Sequence, residues 1–263
     1  MSEVEPLLLA FDVSTPTGSV ALARGPGILA RRFLLRTGEH ASGLVPAIAE
    51  ALEEANVSRR AIEGIVVGRG PGSFTGVRVG AATARGLARA LDCPLWPRSS
   101  LAAAAASVDA VVPEEVRELA GEEEPDPAAD ARPGGEVPEV GGRPLYVLFD
   151  ARGDRVYAGC YRVADGLDTI LGPHASTLPD VLASPLPDEV LFCGAGALRH
   201  RARIEKAGHV VLPPPAGVPT AEGLLRVHRW RAQDPPEPEG SRWEPDYVRG
   251  SSARQPAGAG GAS

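Results

Sequence analysis

Two hydrophobic periods alternate along this chain. Residues 7–13 (LLLAFDV) form an apolar strand, and 17–23 (TGSVALA) a second one after the Thr15-Pro16-Thr17-Gly18 turn. Residues 28–36 read as a third strand, completing an antiparallel meander. The period then lengthens. Leu44, Ile48 and Leu52, with Val45 and Ala49 beside them, fit one face of a helix over 40–55. A short buried strand at 64–68 (GIVVG) precedes a second helix over 73–91, with Ser73 placed as its N-cap. An Ala-rich helix follows at 99–108.

Residues 113–142 have no apolar period and are rich in Pro, Gly and Glu. They hold ten acids against two bases, a net of −8, so the remainder of the chain carries +1 of the total −7. Such a composition does not offset the entropy of ordering and predicts a disordered insert. Structure resumes with a hairpin, 145–150 and 155–163, then a strand at 190–193, a helix at 197–207, a strand at 209–212 and a helix over 220–232. The organisation expected is one lobe over 1–108, an acidic insert over 109–142 and a second lobe over 143–232. A mostly flexible tail over 233–263 follows, with a short ordered piece at 243–249.

Composition narrows the chemistry. No apolar run approaches the length of about 18 residues that a membrane span needs, and the start MSEVEP lacks a signal-peptide layout, so a cytoplasmic protein is expected. Cys93, Cys160 and Cys193 form no Cys-x-x-Cys pair and read as small hydrophobes. His40, His174, His200, His209 and His228 show neither H-x-x-x-H nor H-E-x-x-H spacing, which disfavours a metal hydrolase. No G-x-S-x-G elbow is present. A near-neutral folded part argues against tight independent binding to nucleic acid.

Three stretches are candidates for function. Asp12, Ser14 and Thr15 sit at a strand end, where they either face phosphates or close an Asx/ST turn. Gly70, Gly72 and Ser73 lie where a strand meets a helix start, a geometry that attracts anions. Yet the loop has no P-loop lysine, and its glycines miss the G-x-G-x-x-G spacing. Along the second helix Gly72, Gly76, Gly80, Ala84 and Ala88 recur every four residues. Each interior glycine costs about 1 kcal/mol relative to alanine, so the stripe must meet something, either the chain's own sheet or a partner helix. The Asp150-Ala151-Arg152-Gly153-Asp154-Arg155 segment reads as a charged hairpin turn.

The string Gly68 to Arg78 (GRGPGSFTGVR) resembles the signature of the TsaB family, also called YeaZ. Phe11-Asp12-Val13-Ser14-Thr15, Glu39-His40, Asp150-Ala151-Arg152 with Val156-Tyr157, and Glu244 to Arg249 agree in order. Arg155 departs, standing where the family carries an acid. The resemblance covers 7–108 and 143–250. It implies an α/β chain of actin-like ATPase (ASKHA) fold with two mixed lobes, which the meander-helix-strand-helix order fits without selecting it. It further implies a non-catalytic subunit of the machinery that makes threonylcarbamoyladenosine in tRNA. Such a subunit pairs with a TsaD-type catalytic relative, is joined by a TsaE-type ATPase, and meets tRNA only through the complex. No cofactor or metal of its own is expected, with ATP and magnesium left for the complex junction. The family's dimer surface points to Leu44, Ile48, Gly76, Gly80, Ala84 and Ala88, and leaves open a homodimer of the isolated chain. Two enzyme readings stand beside it: an ATPase or phosphotransferase using Asp12, Ser14 and the Gly70–Gly72 turn, and a metal-dependent peptidase.

Overall fold

The computed structural model describes residues 5–35, 40–121 and 139–238. The Glu39 and Glu244–Arg249 pieces of the resemblance lie outside them. In the first lobe β1 (Leu7–Asp12), β2 (Gly18–Arg24) and β3 (Gly27–Leu34) form the expected meander. β4 (Gly64–Gly68) joins β1 in parallel, and β5 (Leu95–Arg98) joins β4, giving the order β3-β2-β1-β4-β5. The second lobe repeats this plan with β6 (Pro144–Asp150), β7 (Arg155–Val163), β8 (Leu167–Thr177), β9 (Leu191–Cys193) and β10 (Val210–Val211). Its order is β10-β9-β6-β7-β8, again a three-stranded meander with two parallel strands added beside its first strand. This duplication, unreadable as a repeat in the sequence, is the two-lobed actin-like architecture.

Alternation along each first strand decides what covers each face. Leu7, Leu9 and Phe11 of β1 pack with Leu44 and Ile48 of α1 (His40–Glu54) and Ala84 of α2 (Phe74–Leu91). Ala10 of β1, with Ala21 and Val66, packs instead with Ala221, Leu224 and Leu225 of α8 (Ala221–Trp230). In the second lobe Leu145, Val147 and Phe149 of β6 meet Leu101 and Ala104–Ala106 at α3 (Ser100–Ala106). Tyr146 and Leu148 meet α5 (Leu178–Ala183), α6 (Ala195–Arg199) and α7 (Arg201–Lys206) through Leu178, Ala197 and Ile204.

The lobe boundaries inferred from sequence therefore need correction. α3 belongs to the first half of the chain but covers the second sheet, and α8 does the reverse. The two helices cross at Gly223, where a Cβ would overlap the Ser107 hydroxyl and the Ala103 carbonyl oxygen. Ser107 Oγ donates to the Ala103 carbonyl at 2.7 Å and lies 2.8 Å from Thr220 Oγ1, the N-cap of α8. Ser19 Oγ of β2 accepts from the Ala221 amide at 2.8 Å.

Four further points differ from the sequence reading. The insert is structured at its start: α4 (Glu114–Gly121) forms because Val116 finds a fully buried site. β5 was unread because its Pro97 argues against a strand, yet β5 is an edge strand, where a missing N–H is tolerated. β8, also an edge strand, is exposed over much of its length and carries no apolar run. The helix expected at 197–207 is two helices broken at His200, whose φ of −104° and ψ of 19° end α6 and start α7.

Because the α3–α8 crossing has no room for a side chain, Gly223→Ala is expected to destabilise the chain by about 1–3 kcal/mol, the usual range for an overpacked core. A urea melt followed by circular dichroism checks this.

Candidate functional site

The β1–β2 turn, the β4–α2 loop and the start of α3 meet at one buried corner. At its centre is Asp12, with no exposed surface. Its Oδ1 accepts from the Ser14 amide at 2.8 Å and from Ser14 Oγ at 2.6 Å, an Asx turn. Its Oδ2 accepts from Ser100 Oγ at 2.7 Å. Ser100 Oγ in turn accepts from the Gly70 amide at 3.1 Å, while the Ser100 amide donates to the Gly70 carbonyl at 3.0 Å. Gly68 must be glycine here, since a Cβ would collide with the Asp12 carboxylate.

The glycine-rich loop is likewise turned inward. The Ser73 amide donates to the Ser14 carbonyl at 2.7 Å, and Ser73 Oγ caps α2 by accepting from the Gly76 amide at 3.3 Å. Cβ atoms on Gly72 and Gly76 would overlap the carbonyl oxygens of Ser14 and Val13. Thr15 Oγ1 donates to the Thr17 carbonyl at 3.0 Å. Asp12, Ser14, Thr15, Gly70, Gly72 and Ser73 are thus brought together, but as a closed protein corner. The Ser14, Gly70 and Ser73 amides and the Ser14 and Thr15 hydroxyls donate to the chain's own oxygens.

The small-residue stripe also turns toward the chain's own sheet. Gly76, Gly80 and Ala84 are buried against the sheet, as are Leu44 and Ile48 of α1, and Ala88 is half-buried. The glycines let α2 settle onto the Val13–Ser14 backbone. The opposite face of α2 holds a second i+4 series that the sequence reading missed: Phe74, Arg78, Ala82, Gly86 and Ala90, all exposed. Arg78 lies 3.4 Å over the Phe74 ring. A Cβ on Gly86 would meet open space, so nothing among the described residues explains a glycine there. On α1, Val45 is 59% exposed, equal to Phe74. The signal available beforehand was this second four-residue period, offset by two from the first.

Between the lobes, Thr15–Thr17 face Gly194, Leu198 and Gly217 across a largely apolar cavity of about 30 Å³, into which Leu119 and Ala120 of α4 project. That is room for one or two waters, since one needs about 10–15 Å³.

In the second lobe Asp150 pairs with Arg199 at 3.1 Å and accepts from the Arg152 amide at 3.2 Å. Arg152 (φ 70°) and Gly153 (φ 64°) make the tight turn, so this segment is a hairpin. Arg155 is exposed beside it. Burial, then Arg203 and Arg199, hold the His200 imidazole below its ordinary pKa. His228 is lowered to about 4, chiefly by burial and then by Arg98. Arg98 itself, nearly buried, caps the end of α8 by donating to the Arg231 carbonyl at 3.3 Å and pairs with Asp234 at 3.2 Å. Cys160 and Cys193 are buried thiols pushed up to about 12, and Cys93 is half-exposed; all three are free. No group of three His, Cys, Asp or Glu among the described residues could hold a metal. No helix among them is long and apolar enough to cross a membrane.

Comparison with known proteins agrees with this picture. Residues 35–117 match the family model "TsaD: tRNA N6-adenosine threonylcarbamoyltransferase". A Haemophilus influenzae protein named tRNA threonylcarbamoyladenosine biosynthesis protein TsaB is 44% identical over 37% of this chain and 41% of its own length. The Bacillus subtilis protein of the same name is 29% identical over 75% of each. The matched stretch thus spans under half of the first relative and three quarters of the second. A Pseudomonas aeruginosa crystal structure described as similar to peptidase YeaZ superposes with a TM-score of 0.68 at 28% identity, over 93% of this chain and all of the other. A second, named YeaZ from the same organism, gives 0.62 at 25% identity, over 94% and 100%.

The topology defines a duplicated actin-like fold whose β1–β2 turn and β4–α2 loop meet at one buried corner. Within that class, the chain is similar to proteins named TsaB and YeaZ.

Two measurements bear on the site. Asp12→Ala is expected to lower stability by about 1–3 kcal/mol for each buried donor it orphans, read from a denaturant midpoint. Neutral His228 stabilises the fold fully above pH 6.5, and that contribution is lost as pH falls toward about 4. His200 acts in the same direction. Thermal melts should therefore drop between pH 6.5 and 4, and His228→Gln should flatten that slope.

Proposed function

We propose that the chain acts in making threonylcarbamoyladenosine in tRNA as a non-catalytic subunit that pairs with, and activates, a TsaD-type catalytic relative. The observation that carries this reading is the combined resemblance. Residues 35–117, which include α1 and α2, match the family model of the transferase itself, while a relative named TsaB matches three quarters of the chain. Two structural features support it. The corner at Asp12 and Gly70–Ser73 spends its hydrogen-bond donors internally, which suits a scaffold better than a phosphotransferase. The exposed row Phe74, Arg78, Ala82, Gly86 and Ala90 offers small residues to an incoming helix, at a helix-propensity cost of about 1 kcal/mol for Gly86 that the isolated chain does not offset.

In this reading Val45 and Phe74 contribute apolar contact at the partner surface. Leu44, Ile48, Gly76, Gly80 and Ala84 shape that surface from beneath, with half-buried Ala88 at its margin. tRNA and a TsaE-type ATPase join through the complex, and any ATP with magnesium sits at the junction of subunits. The same surface serves a homodimer when the partner is absent.

Light scattering after size exclusion, with a TsaD-type protein from the same genome, tests this. A one-to-one complex is expected for the parent chain and for Gly86→Ala, which should also raise the chain's own stability by about 1 kcal/mol. Gly86→Trp and Phe74→Glu are expected to weaken the complex at least tenfold while leaving the isolated chain folded. No complex at tens of micromolar from the parent overturns the reading.

A further inference from the structure

The cleft between the lobes is closed by a piece of chain that belongs to neither sheet. α4 follows Pro113, and its side chains reach both lobes. Val116 is fully buried in a small cluster with Ala110, Val112 and Val218, against which Phe33 and Ala120 pack. Phe33 lies on β3 of the first lobe, and Val218 precedes α8 beside the second. One turn further, Leu119 and Ala120 line the cavity bounded by Thr15–Thr17 on one wall and Gly194, Leu198 and Gly217–Pro219 on the other. Clefts between lobes are where ligands commonly bind, in volumes of about 300–1,000 Å³. Here about 30 Å³ is left.

The two faces of this helix differ sharply. Inward it presents Val116, Leu119 and Ala120. Outward it presents Glu114, Glu115, Arg117 and Glu118, all exposed, three carboxylates against one guanidinium. Burial of the inner face draws the two walls together, because parting them would return Val116 and Leu119 to water. The outer face places net negative charge at the mouth, which opposes the approach of a polyphosphate. The segment is held at its base as well, since Arg31 on β3 donates to the Val111 carbonyl at 3.4 Å and pairs with Glu222 of α8 at 2.9 Å.

We propose that α4 is a built-in wedge: it occupies the interlobe cleft in place of a ligand and fixes the angle between the lobes. The wedge concerns the chain alone and does not depend on the partner reading above. It gives the start of the acidic segment a mechanical task that its composition does not advertise. It also makes the cleft responsive to anything that draws α4 away.

Amide hydrogen exchange of the full chain, resolved by NMR, tests this. The reporters are the Ala197 and Leu198 amides, both bonded to the Gly194 carbonyl, and the Val218 amide bonded to the Pro215 carbonyl. Leu119→Asp puts a carboxylate into the apolar cavity without touching the fully buried core. In that variant the three reporters are expected to exchange at least tenfold faster, while amides of β1 and β6 keep parental rates. Glu118→Gln, on the exposed face, should behave as the parent. Parental rates at the reporters in Leu119→Asp would overturn the proposal. So would equal acceleration of the reporters and the strands, which would make α4 ordinary core. If Leu119→Asp does not fold, Leu119→Gln carries the same comparison with the same two outcomes.

Discussion

A single buried carboxylate organises this molecule. Asp12 sits at the end of the first strand, out of reach of solvent, and both of its oxygens accept from side-chain hydroxyls. A polar group so placed is tolerated only where hydrogen bonds replace its hydration. Satisfying it recruits Ser14 from the turn and Ser100 from the start of α3, and Ser100 then holds Gly70. Three segments remote in sequence are therefore fixed by one carboxyl group. The glycines around it follow as a steric consequence, because the backbone of β4 and α2 must approach the carboxylate and the turn closely. The corner looks like a phosphate loop in composition because the same devices, hydroxyls, free amides and glycine, bind either an external oxyanion or an internal one. In this chain the group at the centre is its own Asp12.

The second constraint is topological. Each lobe lends the other a helix, α3 outward and α8 back, and the two cross where Gly223 meets Ala103 and Ser107. The α3–α8 crossing is also the covering layer of both sheets, so relative motion of the lobes is tied to the packing of each. α4 adds a third tie on the other side of the cleft.

The elements with a strong period were legible in the sequence, and those shaped by their surroundings were not. Leu44, Ile48 and Leu52 gave α1 its span, and Ser73 marked the start of α2, because local spacing and capping suffice for both. The stripe from Gly72 to Ala88 was correctly seen as a close-approach surface, but a spacing cannot say what approaches. The nearest backbone, Val13–Ser14, took it. Val116 was lost in a stretch whose mean composition is that of a disordered chain, since one apolar residue with a prepared pocket outweighs its neighbours. Ser100 was unremarkable as a letter and became central only when folding set it against Asp12. His200 broke a helix that periodicity ran through.

The exchange of helices sets a timetable for the nascent chain. Chains emerge from the ribosome N-terminus first, and domains generally fold as they appear. The first sheet is complete once β5 at Leu95–Arg98 is out, yet the face carrying Ala10, Ala21 and Val66, which Ala103 meets early, lacks most of its cover until Leu224 and Leu225 arrive, some 130 residues later. At about 5–20 residues per second that is a wait of roughly 7–26 seconds with an apolar surface open to water. The first lobe is thus a late product of its own synthesis, and a holding chaperone has a defined surface and a defined window in which to act.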